Sequence, residues 1–124
     1  MILDSWAWVE YFLGSPSGKK VRQFILGKDL CCSVLSIAEV ADWCVRNGLD
    51  SRKYLETITA LATVLVFDSE MAEKAGNSLA GLKRNSPGIG MVDAIIYAQA
   101  LSAGLLLVTG DRHFEGLPGV HFVD

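Results

Sequence analysis

Apolar residues gather into short runs, and longer stretches with helical spacing lie between them. Met1–Asp4 reads as a short buried strand that ends in a carboxylate. Ser5 is placed to cap a helix reaching about Leu13, where Gly14 stops it. GSPSG reads as a loop, and Ser17 opens a second helix that Gly27 ends. LCCSV is an apolar, partly β-branched run and predicts a second strand. In the SIAE stretch, Ser36 precedes Glu39 by three residues, the pattern of a capping box. That helix runs to about Asn47, and Gly48 stops it.

Ser51 opens a further helix through LETITALA, and TVLVF predicts the third strand. Ser69 opens EMAEKAGNSLAGLK, in which Met71, Ala72, Ala75, Leu79 and Leu82 recur near helical spacing. NSPGIG is a flexible connection to MVDAIIYAQALSA, a strongly apolar helix that Gly104 ends. LLLVT is the fourth strand, GDRHF a turn or short helix, and VHFV a last edge strand. Strands alternate with helices throughout, which predicts an α/β fold around a mainly parallel central sheet. With 124 residues and no linker, repeat or low-complexity tract, one domain spanning 1–124 is expected.

Composition narrows the function. Half the residues are hydrophobic (51%) and 20% are charged, which excludes a disordered chain. A net charge of -3 excludes a broad basic footprint for duplex DNA. It leaves room for a nucleic-acid substrate, because a bound metal ion or a local basic cluster supplies positive charge. Cys31, Cys32 and Cys44 form no CxxC pair and no disulfide framework, and read as buried thiols. The N-terminus lacks a basic leader, Glu10 interrupts its apolar stretch, and no run approaches the roughly 18 apolar residues of a membrane span. A soluble cytoplasmic protein with no membrane partner is expected.

The chemistry lies in the acids. Asp4 stands at the carboxyl end of the first strand, Glu39 in the first turn after the second, and Asp111 two residues past the fourth. Asp93 is in the first turn of the helix that feeds the fourth strand. In parallel α/β sheets, sites collect outside the carboxyl ends of the strands. Each acid also has a plainer role. Asp4 and Asp93 suit the positive end of a helix dipole, Glu39 suits a capping box, and Asp111 suits a turn. Together they would repel unless something positive sits among them. Oxygen ligands without accompanying His or Cys suit Mg²⁺ or Mn²⁺ and argue against zinc, and His113 and His121 are too few to build a zinc site. Such a site activates water and stabilises charge on a phosphodiester. Ser5 and Thr109 stand beside the acids as supporting residues, in positions that caps and strand ends also fill. A P-loop and a GxGxxG are absent, and an aspartyl-phosphate phosphatase would need a second Asp where Trp6 stands.

These residues resemble a PIN domain, and in length and spacing the toxin ribonuclease of the VapBC toxin–antitoxin type. The resemblance rests on Asp4-Ser5, Glu39 in SIAEV, Asp93 in MVDAIIYAQA, and Thr109 with Asp111 in LLVTGDRHF. It covers essentially the whole chain. It implies a PIN-like three-layer sandwich, with a parallel sheet of about five strands and helices on both faces. It also implies that Asp4, Glu39, Asp93 and Asp111 bind Mg²⁺ or Mn²⁺, with Thr109 supporting them. The implied reaction is endonucleolytic hydrolysis of RNA, leaving 5′-phosphate and 3′-hydroxyl ends. Some relatives carry a further acid where this chain reads Arg112-His113. Asp42, one turn past Glu39, reads as a solvated helix residue. A housekeeping RNA-processing nuclease and a non-catalytic binding module stay open beside the toxin reading.

The helices SWAWVEYFLG and the one carrying Ile37, Val40, Trp43 and Val45 are apolar nearly all round. A helix that is apolar on every side needs cover on every side. Trp8, Phe12 and Trp43 are therefore expected on a partner surface. The resemblance implies a cognate antitoxin and a homodimer as the partners. Among the basic residues, the Lys19–Arg22 and Lys83–Arg84 clusters read as solvated surface. Arg112, adjoining Asp111, is the candidate RNA contact.

Overall fold

The shortest strand occupies the centre. In a computed structural model describing residues 1–124, β1 (Ile2–Leu3) pairs in parallel with β2 (Leu30–Ser33) on one side and β4 (Leu107–Thr109) on the other. β3 (Ala62–Leu65) extends the sheet beyond β2, and β5 (Val120–Phe122) extends it beyond β4. The order is β3-β2-β1-β4-β5, and every pairing is parallel. The chain winds outward from β1 to β3, then crosses back to lay β4 against β1. The β1–β4 junction is therefore the switch point, where the crevice at the carboxyl edge of an open parallel sheet forms.

Side-chain alternation along the central strands divides the core in two. Leu3, Cys32 and Val108 face a layer built by α1 (Ser5–Leu13), α2 (Pro16–Ile25), α3 (Val34–Arg46) and α4 (Ser51–Leu61). Ile2 and Leu107 face α6 (Met91–Ser102), with Leu79 and Leu82 of α5 (Ser69–Asn85) packed behind. The expected three-layer α/β sandwich with helices on both faces is what the chain forms. No helix is long and apolar enough to cross a membrane.

Several boundaries differ from the sequence reading, and one cause accounts for most of them. The cap falls to the last polar residue held by the strand or loop, not to the next polar residue inside the helix. Asp4, not Ser5, caps α1, its Oδ1 accepting from the Ala7 amide at 2.8 Å. Ser15 caps α2, which begins at Pro16 inside the expected loop. Proline suits this first helical position because its missing N–H is not needed there. Asp50 and Asp68 cap α4 and α5. Ser33, the last residue of β2, caps α3 by accepting from the Leu35 amide at 3.2 Å. Ser36 then lies inside the helix, buried and without a hydrogen-bond partner, and no Ser36–Glu39 capping box forms.

Trp8 is a second correction. It is fully buried, not part of a partner surface. Helices α2 and α3 both pack against α1, so two faces of a nine-residue helix are covered in addition to the one on the sheet. Phe12 and Trp43 are half-buried, packed edge-on against Tyr54 at centroid distances of 4.9 and 5.9 Å. Those T-shaped contacts make them the rim of the core. Replacing Ser33 by Ala is expected to cost about 1 kcal/mol in urea unfolding, the usual worth of an N-cap. Replacing Ser36 by Ala should cost nothing, and the opposite ranking would restore the cap to Ser36.

Candidate metal centre

Asp4 follows β1 and Thr109 closes β4, so the two meet across the switch point. The Thr109 hydroxyl donates to Asp4 Oδ2 at 2.5 Å and accepts from the Asp111 amide at 2.9 Å. Thr109 thus fastens one acid by its side chain and the next by its backbone. Asp111 Oδ1 in turn accepts from the His113 amide at 2.9 Å, capping the short 3₁₀ turn Arg112–Phe114. Asp93, in the first turn of α6, accepts through Oδ2 from the Gly90 amide at 3.0 Å. In each of Asp93 and Asp111 one carboxylate oxygen is tied to the backbone and the other stays free.

Asp93, Asp111 and His113 each offer a ligand atom, and the three lie within 4.8 Å of one another. Asp4 is only 4% exposed. Burial pushes its carboxyl up to about 7, against the bonds from Thr109 and Ala7, and the charges of Asp111 and Asp93 push the same way. Burial also raises Asp93, beside Asp111. The ion pairs of the chain include neither Asp4 nor Asp93. Asp111 lies against the His113 ring, whose charge opposes the rise of Asp93, while Asp4 has no cationic neighbour; a divalent cation relieves such crowding.

Glu39 stands apart from the tight group. It lies in the second turn of α3, where its Oε1 accepts from the Ser5 hydroxyl at 2.5 Å. That bond ties α3 to the start of α1, next to Asp4. Asp42 faces solvent in an exposed pair with Arg46 at 2.7 Å, a contact worth a few tenths of a kcal/mol. Arg112 is exposed and lines a surface cavity of about 450 Å³ with Trp6, Ser17, Gly110, Glu115 and Phe122. Of the Lys19–Arg22 cluster, Arg22 is occupied within the chain, bonded to the Tyr11 carbonyl and lying over its ring, and Lys20 pairs with Asp124.

His113 is a candidate ligand that the sequence reading does not include. Its signal was the Asp111-x-His113 spacing, which a tight turn folds onto one side. Histidines weighed only as zinc ligands hide that signal.

Fold and site together define a parallel α/β domain with a cluster of acids at its switch point. The chain belongs to the PIN domain family, whose model matches residues 1–120. It is 29% identical over 98 residues to the tRNA(fMet)-specific endonuclease VapC of Salmonella typhimurium, covering 77% of this chain and 74% of that protein. A toxin–antitoxin complex from Klebsiella pneumoniae superposes with a TM-score of 0.75 at 21% identity, covering 97% of this chain and 94% of that one. VapBC2 from Rickettsia felis, solved bound to a promoter DNA fragment, gives a TM-score of 0.76 at 17% identity, with 99% and 98% covered. The solved structures establish the shared fold.

The buried carboxyl sets the pH response of the metal-free protein. A folded-state value raised from 3.8 to about 7 favours the protonated, folded form. That stability is present in full at low pH and is lost as pH rises through about 7. At about 1.4 kcal/mol per unit, the loss reaches at most about 4 kcal/mol. In EDTA, the melting temperature should fall between pH 5 and pH 8, and Asp4→Asn should flatten that slope. An unchanged slope in the variant would remove Asp4 as its source.

Proposed function

We propose that this chain is a Mg²⁺- or Mn²⁺-dependent endoribonuclease and the toxin of a VapBC-type toxin–antitoxin pair. The observation that carries the reading is the buried Asp4, fastened by Thr109 and close to Asp93 and Asp111, with no side-chain cation to neutralise it. The PIN family membership and the VapC relative support the reaction class. Asp4, Asp93 and Asp111 would hold the ion, and Glu39, braced by Ser5, would close the set from α3. The donor set fits, being rich in hard carboxylate oxygens.

A divalent ion held there supplies an activated water and positive charge against the phosphodiester. The chain's own contribution is preorganisation. The Ala7, Gly90 and His113 amides and the Thr109 hydroxyl fix the carboxylates before any ligand arrives, so little reorientation remains when charge develops. Arg112 at the rim would steer a backbone phosphate toward the acids. Hydrolysis would leave a 5′-phosphate and a 3′-hydroxyl.

The partner reading extends this proposal. Leu26, Val45 and Val66 are 81%, 72% and 78% exposed, apolar side chains that the fold does not cover. An antitoxin segment and a second copy of the chain are the expected cover, in keeping with the toxin–antitoxin complexes that share the fold.

Purified protein should cut total cellular RNA into discrete fragments with Mg²⁺ or Mn²⁺ and leave it intact with EDTA. Asp93→Asn should slow cleavage by about 100-fold or more while the protein remains folded. Equal cleavage by the folded variant would contradict the assignment.

A further inference from the structure

His113 brings a nitrogen into a site otherwise read as all oxygen. Two constraints aim its ring. Its own amide is bonded to Asp111 Oδ1, which fixes the backbone. On the far side the ring lies against Gly88, where a Cβ would stand 2.6 Å from Nε2. Any other residue at 88 would push the ring out, so the glycine makes the space that it fills. With Nε2 against Gly88, it is Nδ1 that turns to the acids, 3.1 Å from Asp111 Oδ1.

That approach is not aligned as a hydrogen bond. Nδ1 is buried and has no hydrogen-bond partner. A ring nitrogen in this position has two roles open to it. As imidazolium it would be the counter-charge of the acids, and its N–H would be aimed at a carboxylate oxygen. As neutral imidazole it would present a lone pair beside the carboxylates of Asp93 and Asp111. The ligand atoms of His113, Asp93 and Asp111 lie within 4.8 Å of one another, close enough for one ion to join all three.

We propose that His113 Nδ1 is a direct ligand of the same divalent ion as Asp93 and Asp111, making a mixed nitrogen–oxygen site that selects Mn²⁺ over Mg²⁺. The inference rests on the reading of the acids as a cation site and adds the ion's identity. Imidazole suits transition metals, whereas Mg²⁺ favours an all-oxygen octahedron with retained waters. A carboxylate in place of His113 would return the site to hard-ion chemistry. His121 is not a rival nitrogen, since it is stacked flat on Phe24 at 3.6 Å.

The test is electron spin-echo spectroscopy of the full chain loaded with Mn²⁺ alone, beside calorimetry with Mn²⁺ and with Mg²⁺. The wild type should show modulation from a directly bound nitrogen. His113→Asp should bind Mn²⁺ without that modulation, and its Mn²⁺-to-Mg²⁺ affinity ratio should fall by about tenfold. Gly88→Ala, which changes no ligand residue but displaces the His113 ring, should lose the modulation as well. Bound Mn²⁺ with no nitrogen coupling in the wild type, or an unchanged affinity ratio in His113→Asp, would overturn the proposal and leave the nuclease reading standing. Failure of the wild type to bind either ion would overturn both.

Discussion

The structure depends on a carboxylate placed where water does not reach it. Asp4 ends the central strand, caps the first helix, and takes a hydroxyl bond from the strand beside it. Those bonds favour its charge, yet burial outweighs them and raises the carboxyl to about 7. Removing the acid would relax the electrostatics but would also take away a cap and a side-chain bond between the ends of β1 and β4. The fold holds the group in place, and the cost of its charge is what a cation at the site would offset.

Topology explains why the other acids come to it. The reversal of winding after β3 lays β4 against β1 and opens the crevice there. Asp111 stands two residues past β4, and α6, which feeds β4, starts on the same edge with Asp93. Glu39 reaches that edge from α3 through Ser5. Four elements thus contribute, and a two-residue strand suffices for the first because it is paired on both sides and buried on both faces.

Much of this was legible in the residues. The alternation of apolar runs with helical stretches predicts the parallel α/β architecture, and the acids at strand ends locate the edge of the site. Caps were read less well, because neighbouring polar residues such as Asp4 and Ser5, or Ser33 and Ser36, satisfy the same pattern. The choice between them depends on where pairing with the next strand stops, and that is a tertiary fact. Trp8 shows a similar limit: on a helix that is apolar nearly all round, the sequence does not say which residues the chain's own core covers and which are left for a partner. Glu39 is held by a bond to Ser5 across 34 residues and not by a cap in its own helix. His113 was hidden because a lone histidine acquires meaning only from the groups that a turn brings around it.

A cation bound at this edge would displace protons from crowded acids. Calorimetry of Mg²⁺ or Mn²⁺ binding at pH 6, repeated in buffers of differing ionisation enthalpy, measures the protons released. Asp4, raised to about 7, is largely protonated at that pH in the free protein, so about one proton or more should leave per ion bound, and the release should fall by about one in Asp4→Asn. Binding with no proton release, or the same release in the variant, would contradict a cation site built on the buried carboxylate.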